Sequence, residues 1–266
     1  VGDDELFTLL VGLALSLLSA VRWYAPLLRV GPIGRRAPLT GALAITPVAC
    51  LVGLLVVLQL AADARVRGHP EYLALFLATA GAGLGVAGSL LPVVLGISVR
   101  DDALERRNGP AAAVGCGALV AVTIVIAGAN VGTGDTIWAT LWPAGVAVVV
   151  LGCVALAHAW ACCLAEAITV DRNPAFAIRA VGLHVAVALV LAGAVAGDYV
   201  SANATFADFA HRGWPVCPLL IVAILWDRRQ ARKPWPERRS SGPAVAIGVT
   251  YGLAALGVLA VVWGTR

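Results

Sequence analysis

The sequence predicts an all-α integral membrane protein, a bundle of about eight transmembrane helices that contains a parallel two-helix internal repeat. Three observations predict it. Hydrophobic residues fill 60% of the 266 positions and charged residues only 13%. Mean hydropathy is +0.90, so too little polar surface exists to cover a water-soluble core of this size. Apolar runs recur from end to end, each long enough to cross about 30 Å of hydrocarbon. One stretch of chain also repeats itself 65 residues later.

Taken in order, the expected spans are 6–28, 39–62, 72–98, 111–131, 138–170, 175–197, 206–226 and 243–263. The first follows the acidic stretch Val1-Gly2-Asp3-Asp4-Glu5, which is wrong for the positive start of a secretory signal. That helix is expected to stay in the mature protein. With no Met in the chain, Val1 is read as an initiator or as the residue after a removed start. The third run holds Gly83-Leu84-Gly85-Val86-Ala87-Gly88, a formal match to the dinucleotide fingerprint. It lacks the preceding strand that the fingerprint needs, so its glycines are read as helix-packing positions. The fifth run is longer than a bilayer requires and is expected to tilt or project into water. The seventh is the weakest, because its purely apolar part covers only 214–226; Asp208, His211 and Arg212 must then reach the interface. Three units follow: an N-terminal helix pair over 1–71, a four-helix repeat unit over 72–199, and a C-terminal pair with a basic loop over 200–266.

Loop charge sets the expected orientation. Arg29, Arg35, Arg36, Arg100, Arg106, Arg107, Arg172, Arg228, Arg229, Arg232, Lys233, Arg238 and Arg239 fall on one side, against Arg65, Arg67, Arg212 and Arg266 on the other. The first side is therefore cytoplasmic and both termini face outward. A composition dominated by Ala, Val, Leu and Gly, with Lys233 the sole lysine, points to a bacterial cytoplasmic (inner) membrane.

The repeat is specific. Arg107-Asn108-Gly109-Pro110-Ala111 recurs as Arg172-Asn173-Pro174-Ala175-Phe176, and Gly117 matches Gly182. Ile126-Ala127-Gly128-Ala129-Asn130-Val131-Gly132 matches Leu191-Ala192-Gly193-Ala194-Val195-Ala196-Gly197. An offset of 65 residues carries the chain across the membrane twice, so the copies point the same way. Asn108 and Asn173 stand where a helix N-cap is wanted. Gly128 with Gly132, and Gly193 with Gly197, have the GxxxG spacing of closely packed membrane helices. These residues resemble the YjfL-like family of small bacterial inner-membrane proteins, a domain of unknown function, over about residues 72–199. The resemblance implies a four-helix membrane unit and carries no catalytic residue.

Candidate chemistry is sparse. Cys50, Cys116, Cys153, Cys162, Cys163 and Cys217 lie in apolar runs without CxxC spacing, so neither a metal site nor a disulfide framework is expected. His158, Cys162 and Glu166 share one face of the fifth helix, and the sixth carries Arg179 and His184. Ionisable groups in a membrane are costly and usually pair. Glu166 and Arg179 are therefore expected as a buried ion pair, with His158 and His184 deeper and close in level. These histidines are also the only candidates for ligating a haem or pigment. The basic run at 227–239 reads as a cytoplasmic anchor able to meet anionic lipid; nucleic acid is not an expected partner.

The function expected is thus a non-catalytic accessory or structural subunit of a membrane assembly, not an enzyme, with no cofactor and with self-association or other membrane subunits as partners. A small-solute or ion transporter is the alternative, and a haem- or pigment-binding subunit of an electron-transfer complex is the second.

Overall fold

The computed structural model describes residues 2–29, 38–134, 136–234 and 240–264. Arg35, Arg36, Trp235, Arg238, Arg239 and Arg266 lie outside the described residues. Helix α1 (Asp3–Arg29) opens on three acidic residues and closes on a basic one, both favourable to the helix dipole. It is followed by α2 (Pro38–Ala61), the short α3 (Ala64–Gly68) and α4 (Pro70–Val94). A π-helical turn, Val99–Glu105, leads into α5 (Gly109–Ala129). The rest of the chain forms α6 (Trp138–Cys162), α7 (Leu164–Thr169), α8 (Pro174–Val195), α9 (Ala202–Gly213), α10 (Val216–Ala231) and α11 (Ser241–Gly264). Among the described residues the sole β-type pairing is an isolated bridge between Ala62 and Gly132.

Among the described residues six helices (α1, α2, α4, α5, α6 and α8) are long and apolar enough to cross a membrane, and the pair α9–α10, bent by 41°, makes a seventh if counted as one span. The chain is a multi-pass apolar helical protein of the membrane type. Helix α11, expected as the eighth span, is apolar over Ser241–Gly257.

Two differences from the sequence reading have local causes. The run 138–170 is not one tilted helix: Cys163 takes a left-handed conformation (φ 50°), which ends α6 and starts α7 in a new direction. The break lets Leu164 and Ile168 bury completely, which a straight helix would have carried onward toward water. The seventh run is likewise interrupted, at Trp214-Pro215, because proline supplies no backbone N–H to continue the helical ladder.

Helices α5 and α8 form the centre. In α8, 72% of the spanning window is buried, against 6% in α1. The two central helices run parallel. At their starts Asn108 Nδ2 donates to Ile168 O at 2.7 Å. Beyond their ends Gly197 N donates to Val131 O at 2.7 Å and Tyr199 N to Thr133 O at 3.0 Å. Local backbone geometry matches at the two sites: Arg107 and Arg172 both sit at positive φ (51° and 49°), as do Gly132 and Gly197 (140° and 139°). Gly128 leaves room only for the backbone and Cβ of Ala192, and Gly132 lies on the carbonyl of Gly197. Gly193 is buried in α8. On the opposite flank α11 meets α8 where Gly182 touches the backbone of Gly248. Helix α1 lies along α4, where Gly12 faces Ala78 and Thr79, and Gly81 and Gly85 face Ser16 and Ser19. The fingerprint-like glycines of α4 are therefore packing positions inside a helix.

Candidate functional site

Among the described residues, a concentrated set of polar side chains in the apolar interior is built by three helices near the basic end of the bundle. Helix α6 brings His158 and, one turn on, Cys162. Helix α8 brings Phe176, Arg179 and His184, and α10 brings Asp227. Asn173 starts α8 by accepting a 3.1 Å bond from Phe176 N, which fixes the level at which Arg179 enters. Asn108 does the same for α5, accepting from Ala111 N at 3.3 Å.

Asp227 is the centre of the cluster and is 3% exposed. Its Oδ1 accepts a 2.6 Å bond from Arg179 Nε, and its Oδ2 lies 3.0 Å from His158 Nε2. His158 is fully buried. Its ring stacks parallel to Phe176 at 5.9 Å between centroids and meets the edge of His184 at 5.7 Å. The Arg179 guanidinium carbon stands 5.5 Å from the Phe176 ring centroid, a cation–π contact. The His158 tautomer that donates from Nε2 to the carboxylate leaves Nδ1 as an acceptor. Neither His158 Nδ1 nor His184 Nε2 has a hydrogen-bond partner among the described residues.

Ligand atoms of His158, Cys162 and Asp227 lie within 4.8 Å of one another, which is metal-ligand spacing. Two of the three donors are already engaged: a cation there would compete with the Arg179 charge for Asp227 and with the Asp227 bond for His158 Nε2.

The expected Glu166–Arg179 pair is corrected. Arg179 is buried and paired, but with Asp227. Glu166 is exposed on α7, because the left-handed turn at Cys163 removes it from the face carrying His158 and Cys162. Sequence reasoning misses Asp227 because it opens the basic run with Arg228 and Arg229 and reads as part of the anchor. Its signal was there to find: it is the one acid directly at the end of the apolar run 214–226. His158 and His184, expected at similar depth, are in ring contact.

Residues 64–195, just under half of the chain, match the model of a family described as Domain of Unknown Function (DUF350). No curated protein and no solved structure matches the chain. The matched segment holds His158, Arg179 and His184, whereas Asp227 lies beyond it. The cluster is therefore assembled across the edge of the matched unit.

Proposed function

We propose that this chain is a non-catalytic scaffold or accessory subunit of the bacterial cytoplasmic membrane, with eight spans, both termini outside and a YjfL-like four-helix unit at its centre. The observation that carries this reading is Asp227. One carboxylate from the C-terminal helix pair satisfies two buried polar groups of the central unit, Arg179 and His158. Such a closed pairing clamps α10 to α6 and α8 and leaves no charge to exchange with a solute. The reading of α5 and α8 as parallel repeats is supported by the matched backbone at Arg107 and Arg172 and at Gly132 and Gly197. Exposed apolar faces on α1 and α2 supply surface for lipid, a second copy or another subunit, and the basic segment after Asp227 supplies contact with anionic headgroups.

The transporter alternative draws on the two unpartnered imidazole nitrogens, His158 Nδ1 and His184 Nε2, since a proton pathway needs groups free to exchange. A double-mutant cycle beside a flux assay separates the readings. On the scaffold reading Asp227→Asn and Arg179→Gln each destabilise by about 3–5 kcal/mol, because each strands a buried charge or its partner, and the double change recovers much of the loss. Wild-type protein in liposomes then passes no ions above the empty-vesicle rate. A wild-type flux abolished by Asp227→Asn, with the melting temperature unchanged, replaces the scaffold with the transporter.

A further inference from the structure

We propose that the groove between α1 and α4 binds one anionic phospholipid of the leaflet at the basic end, with its acyl chains in the groove and its phosphate on Arg22. The groove encloses a cavity of about 630 Å³. Its lining is mostly apolar, with Leu13, Leu17, Leu77, Leu84 and Leu119, and the exposed Arg22 and Arg100 stand at its mouth. Gly81, Gly85 and Gly88 let α4 close against Ser16, Ser19 and Trp23 of α1 along one wall. Two polar groups of that seam are already satisfied: Ser16 Oγ donates to Ala78 O at 2.6 Å, and Trp23 Nε1 donates to Leu43 O at 2.9 Å. The wall therefore offers chiefly hydrocarbon, and the charge at the mouth needs an answer.

Arg22 is the group that asks for a ligand. It lies seven residues before the end of α1, about 10 Å by helical rise, and so within the apolar span. A guanidinium at that depth is expensive unless it is paired or reaches the headgroups. Among the described residues none forms a hydrogen bond or ion pair with it. Arg100, at the same mouth, has part of its charge offset by Glu105 Oε1 at 3.2 Å and Asp101 Oδ1 at 3.9 Å. Arg100 is thus answered by two carboxylates, and Arg22 is the cation at the mouth that no described acid pairs with. A lipid phosphate matches it, and a headgroup with no ammonium of its own matches it better than a zwitterionic one. No described residue of α10 or of the stretch after it lines this groove.

The test is native mass spectrometry of the full chain in mild detergent, offered phosphatidylglycerol and phosphatidylcholine with identical acyl chains. Wild type should retain one phosphatidylglycerol in preference. Arg22→Gln should lose that preference by about fivefold, the weight of one basic residue at an anionic surface. Ala20→Trp, which fills the groove and keeps the arginine, should lower retention of both lipids. Both positions are exposed, so neither variant should move the melting temperature. Arg232→Gln, in the other basic segment, should retain phosphatidylglycerol as wild type does. Equal phosphatidylglycerol retention by wild type and Arg22→Gln, no headgroup preference in wild type, or a lipid-free dimer would each overturn the proposal.

Discussion

Asn108 and Asn173 occupy equivalent positions and should not be equally expendable. Each caps its helix, a role worth about 1 kcal/mol. Asn108 also sends Nδ2 across to the carbonyl of Ile168, inside the bundle, where a lost partner leaves an unsatisfied acceptor. Asn108→Ala should therefore cost about 2–3 kcal/mol, and Asn173→Ala about 1 kcal/mol. Glu166→Gln, an exposed change, should be silent in the same thermal unfolding series in detergent. Equal losses for the two asparagines would show that the Ile168 bond contributes nothing. The caps and the level of the histidines were legible because they depend on short-range spacing. The Glu166 partnership was not, because it assumed that helical phase runs unbroken from His158 to Glu166. One left-handed residue, Cys163, resets that phase, and Cys is not a residue type that advertises positive φ.

At the scale of helices, small residues decide which pairs touch, and the glycines divide into two classes. A side chain added at Gly128 would meet the backbone of Ala192 at 2.5 Å, and one at Gly182 the backbone of Gly248 at 2.6 Å. Backbone cannot swing aside, so the helices must separate. Gly152, also inside a span, has nothing within 4 Å of an added Cβ. Gly128→Leu and Gly182→Leu should each destabilise by about 1–3 kcal/mol or more. Gly152→Leu should be neutral or gain up to about 1 kcal/mol from helix propensity. Melting temperatures in one detergent check this, and a Gly152→Leu loss matching Gly128→Leu would refute the seam. The GxxxG spacing located part of this seam in advance, at Gly128 and Gly132. It could not show that α11 would use Gly182 and Gly248, since no spacing rule links residues that far apart in the chain. Long apolar runs made most spans legible, whereas the weak seventh depended on how Pro215 divides it.

For the whole molecule, the open question that sequence and geometry jointly address is whether α9–α10 crosses the membrane or turns back within it. The pair begins at Ser201, just beyond the end of α8 and its junction with α5 at Gly197. It closes at the other end of the bundle: Asp227 meets Arg179 near the start of α8, and Arg228 Nε donates to Ala161 O near the end of α6. A turn-back would return α10 to the level of Ser201, where none of these contacts could form, so the proposed eight-span reading takes the pair as one crossing despite its 41° bend. Between Gly134 and Ser240 the chain then crosses three times, through α6, α8 and α9–α10, and the two residues must face opposite sides. On the orientation proposed above, the excess of Arg and Lys on the Ser240 side puts that side in the cytoplasm. In a background with the native cysteines replaced, an impermeant thiol reagent added outside cells should label a Cys at Gly134. It should label one at Ser240 only after the membrane is opened. Labelling of both from outside would mean that α9–α10 is re-entrant, that the basic segment lies outside, and that the Asp227 contacts do not form in the membrane. Labelling of Ser240 alone would keep the three crossings and invert the molecule.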